Sequence, residues 1–174
     1  GHEVRRIEVA RLEFPLLRTK DEFEKGTPPD SIKQAQDAIR WADHLVIFYP
    51  LWLGSMPALL KAFLEQVFRP GVAFEYRAQG KMAKKLFTGK SARIVVTMGM
   101  PALVYRWFFL AHSLKSLERN ILAFCGIKPT RATLSAGDSS LSSPSCGTRF
   151  LATCRSTSGR KGSIRSSARW MKNG

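Results

Sequence analysis

Residues 42–76 read ADHLVIFYPLWLGSMPALLKAFLEQVFRPGVAFEY, and the reading of this stretch decides the fold. Residues 44–49 are apolar without alternation, as in a strand whose sheet carries helices on both faces. Pro50 cannot donate to a ladder and ends that strand. After a turn, Pro57 suits the start of a helix, where its missing N–H is not needed. Leu59, Leu60, Phe63, Leu64, Val67 and Phe68 then recur at helical spacing until Arg69-Pro70-Gly71 stops the pattern. Lys61, Glu65 and Arg69, each four apart, form a polar stripe on the other side. A buried strand that enters a helix through a short loop is the unit with which α/β folds hold a ligand, beyond the carboxyl ends of their strands.

Working outward, Val4, Ile7, Val9 and Leu12 alternate in part and predict a first strand. Residues 13–29, with Pro15, Gly26, Pro28 and Pro29 among charges, read as loop. Ser31 and Gln34 match a capping box and open an amphipathic helix over 31–42, with Ile32, Ala35, Ile39 and Ala42 on its buried stripe. Downstream, residues 70–90 are a long basic loop, 92–97 a second buried strand, 105–124 a long apolar helix closed by Gly126, and 128–134 a short strand. Alternating strands and helices predict an α/β fold with an open parallel sheet. From Ala136 onward serine dominates and apolar periodicity stops, apart from a weak helical hint at 164–171. The expected division is therefore a folded domain over 1–135 and a tail over 136–174.

At 174 residues and 44% apolar content the chain can bury a sizeable core. No apolar run reaches the roughly 18–20 residues of a membrane span, and residues 1–6 hold no signal-peptide core. Cys125, Cys146 and Cys154 form no Cys-x-x-Cys pair, and the three histidines are scattered, so the expectation is reduced thiols in the cytoplasm and no metal site. The net charge of +15 suits an anionic partner such as nucleic acid, an acidic membrane surface or a phosphorylated cofactor. No nucleic-acid recognition motif accompanies it. Much of the charge sits in the tail and in Arg77, Lys81, Lys84, Lys85, Lys90 and Arg93.

Tyr49-Pro50-Leu51-Trp52-Leu53-Gly54-Ser55-Met56-Pro57-Ala58, then Leu60-Lys61, Val67-Phe68 and Gly71-Val-Ala-Phe74-Glu-Tyr76, resemble the flavodoxin-like NAD(P)H:quinone oxidoreductases. That group includes the modulators of drug activity and the potassium-efflux ancillary proteins. The resemblance implies an open parallel sheet with helices on both faces, bound FMN or FAD, and hydride transfer from NAD(P)H through the flavin to a quinone. It further implies a homodimer. It assigns Pro50, Leu51, Trp52, Leu53, Gly54 and Ser55 to a loop along the flavin, and Thr97, Met98, Gly99 and Met100 to a second flavin loop, with Met100 where a glycine is usual. Tyr105 falls on a tyrosine thought to relay protons and charge; the companion histidine falls at Ala111, with His112 beside it. Phe74 and Tyr76 match aromatic positions that line the quinone pocket across the dimer interface. Gly1-His-Glu-Val matches the end of the family's first helix and its second strand, so the first strand, the phosphate-binding loop and most of the first helix are expected to be absent, which leaves the sheet without a middle strand. Two other readings stay open: a regulatory ancillary subunit of a membrane transporter, and a degenerate, inactive relative.

Overall fold

The computed structural model describes residues 1–77, 83–107, 110–136 and 150–156. Its strands are β1 (His2–Glu8), β2 (His44–Pro50), β3 (Phe74–Glu75), β4 (Lys84–Lys85), β5 (Ser91–Met98), β6 (Thr130–Ala136) and β7 (Phe150–Ser156). Five of them form one sheet in the order β1-β7-β2-β5-β6, with β2 at its centre, and β3 and β4 form a separate small hairpin. The helices are α1 (Lys20–Lys25), α2 (Asp30–Trp41), α3 (Ala58–Val67), α4 (Ala102–Trp107), α5 (His112–Ser116) and α6 (Ala123–Cys125). A π-helical stretch, Leu117–Leu122, joins α5 to α6.

β2, β5 and β6 pair in parallel, in the order expected of crossover connections through helices. Leu45, Ile47 and Tyr49 of β2 are buried while Val46 and Phe48 are half-buried, so one face of this strand is covered better than the other. α3 supplies Leu60, Phe63, Leu64 and Val67 to the core, each stabilising by about 1.5–3 kcal/mol when fully buried. Buried Gln66 ties the layers together: its Nε2 donates to the Pro15 carbonyl at 2.7 Å, and its own carbonyl accepts from Gln36 Nε2 at 3.1 Å.

β7 departs from the sequence reading. It comes from the stretch set apart as a tail, and it fills the middle place between β1 and β2 that was expected to be empty. It runs antiparallel to both neighbours. Alternation accounts for its fit: Leu151 and Thr153 point inward and are buried, and Thr153 Oγ1 donates to the Arg5 carbonyl at 3.2 Å. On the surface, Arg5 of β1 and Arg155 of β7 lie 4.1 and 5.1 Å from the Trp41 ring, which fastens the end of α2 to this edge of the sheet. The helical hint at 164–171 and Cys146 lie outside the described residues.

Other expectations shift in detail. α1 lies inside the segment read as loop, and Thr19 Oγ1 caps it by accepting from the Glu22 amide at 3.2 Å. Ser31 does not cap α2; it sits one residue inside the helix and donates to the Glu13 carbonyl at 2.9 Å. Lys61 pairs with Glu65, but Arg69 leaves the polar stripe, turns inward and is buried, donating to the Glu22 and Gly26 carbonyls at the end of α1. The long helix read over 105–124 is broken, since Leu110 and Ala111 both take left-handed backbone angles (φ 51° and 47°). Gly126 closes α6 at φ 102°, as its position predicted.

Candidate functional site

Because β2 and β5 are parallel and in register (Pro50 opposite Thr97), their carboxyl ends open on the same side of the sheet. Pro50 has no N–H, and the Leu51 amide makes the next bond instead, to the Thr97 carbonyl at 2.8 Å. From there the chain folds into a tight hairpin. Trp52 and Ser55 exchange two backbone bonds of 2.9 Å each around Leu53 and Gly54, whose φ angles are 47° and 75°. Two positive angles in a two-residue turn define type I′, which glycine enters freely at the second position and leucine at the first only under strain.

The turn aims apolar surface outward. Leu53 is fully exposed and Trp52 is 53% exposed. Together with Ser55, Met56, Lys61 and Ser113 they line a cavity of about 490 Å³ between the turn and α5. Isolated apolar side chains on a surface need no explanation, but a tryptophan and a leucine held out together by a strained turn over a cavity form a candidate contact surface. The second loop is quieter. Thr97 and Met100 are half-buried, Met98 is buried and Gly99 is exposed, and none of the four lines that cavity. A Cβ built on Gly99 meets nothing within 4 Å, so this backbone borders open space at the strand end. A flat aromatic group can approach such a surface, and the two loops fit a planar ring on those grounds.

One hydroxyl in the cavity wall, that of Ser113, is backed by two more behind it. Tyr105 is completely buried and its hydroxyl bonds Ser113 Oγ at 2.8 Å. Tyr49 is 2% exposed, and its hydroxyl faces the Ser113 side chain closely enough to interact but short of full hydrogen-bond geometry. Burial pushes the Tyr49 phenol above its ordinary value, neighbouring Tyr105 and Glu118 push the same way, and the Ser113 side chain opposes them. His112, expected near Tyr105, is exposed at the first position of α5. The left-handed pair at Leu110 and Ala111 sets this register: the chain doubles back so that the Ala111 amide donates to the Tyr105 carbonyl at 3.2 Å, and Ser113 faces the tyrosine instead. No sequence signal marked Ser113, because the break carries neither glycine nor proline, and Tyr49 entered only as the first residue of the motif, with no role.

Phe74 and Tyr76 sit elsewhere. They follow α3, at the amino-terminal side of the sheet, where Phe74 is buried against Phe124 (ring centroids 4.9 Å apart) and Tyr76 is exposed at 5.3 Å from Phe74. A single chain does not bring them to the Trp52 cavity. Cys125 is buried, which pushes its thiol up to about 12 and leaves it unreactive at neutral pH.

The carboxyl ends of adjacent parallel strands are the ligand-binding position of an open α/β protein, and the Trp52 turn with its cavity stands at one of them, beside the Thr97–Met100 loop. The chain belongs to the flavodoxin-like fold family, whose model matches residues 1–145. It is similar to an uncharacterized NAD(P)H oxidoreductase of Haemophilus influenzae, with 32% identity over 125 residues covering 70% of this chain and 61% of that protein. An FMN-dependent NADH:quinone oxidoreductase of Hahella chejuensis is 35% identical over 114 residues, covering 59% of this chain and 52% of the relative. Among solved structures, Smu.1420 from Streptococcus mutans superposes with a TM-score of 0.55 at 32% identity, over 72% of this chain and 63% of that one. The NAD(P)H:quinone oxidoreductase from Methanothermobacter marburgensis gives 0.54 at 25% identity, over 68% and 61%. The chain thus spans between half and two thirds of the length of these relatives.

Proposed function

We propose that this chain carries the flavin-contacting cleft of an NAD(P)H:quinone oxidoreductase. One observation carries the reading: the strained Trp52–Ser55 turn and the Thr97–Met100 loop stand side by side at neighbouring parallel strand ends, joined by the Leu51–Thr97 bond. The names of the relatives support it, since FMN-dependent NADH:quinone oxidoreductases recur among them. Pro50 and Leu51 fix the entry to the turn, and Trp52, Leu53, Gly54 and Ser55 would lie along the ring of FMN or FAD. Thr97, Met98, Gly99 and Met100 form the second edge. A bound flavin supplies a ring that takes a hydride from NAD(P)H and gives it up to a quinone. The protein's part is to present apolar surface, exclude water and hold hydroxyls at the cavity wall.

The same reading takes the working protein to be a cytoplasmic homodimer. Its support is that Phe74 and Tyr76 lie away from their own chain's Trp52 cavity, so they could border a quinone only in a second copy's cleft. Exposed Leu103, Val104 and Trp107 on α4 offer apolar surface for such a contact. No helix among the described residues is long and apolar enough to cross a membrane.

The test is a titration of the purified chain with FMN and with FAD, followed by flavin fluorescence. Saturable quenching, weakened about tenfold (1.4 kcal/mol) by Trp52→Ala, is the expected result, with NADH or NADPH consumed when a quinone is added. A chain that takes up neither flavin overturns the reading and turns attention to the ancillary role at a transporter.

A further inference from the structure

Three hydroxyls from three elements converge at the wall of the cleft: Tyr49 from β2, Tyr105 from α4 and Ser113 from α5. The two tyrosines are shut away from solvent, at 2% and 0% exposure. Of the three residues, Ser113 alone is half-buried and borders the cavity, while its Oγ lies 2.8 Å from the Tyr105 hydroxyl. Ser113 is therefore the point at which the buried tyrosines meet the cleft.

We propose that Ser113 is the positioning residue for Tyr105 in the reaction of this cleft, standing where a histidine would otherwise be sought. This rests on the flavin reading given above. A serine hydroxyl has one proton to donate and two lone pairs. It can accept from Tyr105 on one lone pair, offer the other to the neighbouring Tyr49 hydroxyl, and donate its own proton to an oxygen or nitrogen in the cleft. The Ser113 proton is then free for whatever the cleft holds, a ligand atom or water. His112 cannot substitute, since the left-handed pair at Leu110 and Ala111 turns it to solvent.

The chemical consequence is that the partner of Tyr105 does not itself titrate in the neutral range. The titratable groups around Ser113 are Tyr49 on β2, Tyr105 on α4, Glu118 on the π-helical stretch, Lys61 on α3 across the cavity, and His112 and Lys115 on its own helix, both exposed. A histidine partner would titrate near about 6.5, and a serine does not titrate there.

The chain holds three tyrosines, so a sample labelled at the tyrosine ζ-carbon gives three assignable NMR signals. In the flavin-free protein, Ser113→Ala is expected to move the Tyr105 signal and leave exposed Tyr76 in place, and Ser113→Thr to restore it. With flavin and quinone, Ser113→Ala should lower kcat about tenfold or more with KM unchanged. The wild-type kcat profile should be flat through the histidine range, with Ser113→His adding an inflection near about pH 6.5. An unmoved Tyr105 signal overturns the pairing itself, whatever the cleft binds. A wild-type chain that binds no flavin overturns the role in the reaction, and so does an unchanged kcat in Ser113→Ala.

Discussion

The Leu51 amide donates to the Thr97 carbonyl across 2.8 Å, immediately beyond the last register pair of β2 and β5, and so clamps the two loops of the cleft to each other. Leu51→Pro removes that donor and leaves a half-buried carbonyl short of a partner, at a cost of about 1–3 kcal/mol. The melting temperature should fall by several degrees, at about 2–4 °C per kcal/mol for a chain of this size. Flavin affinity should fall further than the loss of stability explains, because the walls of the cleft lose their mutual alignment. Calorimetry and fluorescence titration on one preparation separate the two effects.

Leu53 sits at φ 47° and is fully exposed among the described residues. Asparagine enters the left-handed region at lower cost and is the residue that type I′ turns favour there. Leu53→Asn should therefore stabilise the fold by about 1 kcal/mol and raise the melting temperature by about 2–4 °C. If Leu53 is held out to touch a ligand, the same variant binds flavin more weakly. A more stable protein with unchanged flavin affinity would remove Leu53 from the site.

His44 Nδ1 lies 2.7 Å from Ser91 Oγ, and burial, helped by the Arg93 charge, lowers its pKa. The unfolded chain then binds the proton first on acidification, at about 6.5, so stability is present above that value and is lost as pH falls toward the lower folded pKa. His44→Gln, which retains a hydrogen-bonding group, should flatten this part of the dependence. Urea midpoints at about pH 7.5 and about pH 5 measure it, and an equal acid loss in both proteins would discount the histidine.

Leu151 of β7 is 1% exposed at the heart of the sheet. Leu151→Ala should cost about 2–5 kcal/mol, as for other large-to-small changes in a core. Leu151→Asp should prevent stable folding by placing a charge there. Chemical denaturation provides the measure, and an aspartate variant as stable as the parent would detach β7 from the sheet.

The unit at the centre of the sheet was legible because apolar runs and prolines act locally: residues 44–49, Pro50 and Pro57 mark β2 and the start of α3 without reference to the rest of the chain. α1 was missed and its segment read as loop: the Thr19–Glu22 cap is a local signal, but the six residues bury no side chain and give no apolar stripe to notice. β7 was hidden for a different reason. Its inward pair, Leu151 and Thr153, is too short a pattern to stand out between serine-rich flanks, and only the partners on either side give it meaning. Within the site, the Trp52 turn followed from its motif. The Tyr105–Ser113 pairing did not, because it depends on two left-handed residues of ordinary type, whose conformation tertiary contacts impose.

The lone antiparallel strand also fixes how the sheet comes apart. β1 has β7 as its sheet neighbour, so its seven-residue ladder reaches the parallel strands only through β7. The sheet thus has a seam between β7 and β2, and the amides of β1 and β7 should exchange with deuterium together, at one opening free energy, before those of β2 and β5. The cleft hangs entirely on the slow-exchanging side of that seam, so its two loops can stay registered while the far edge breathes.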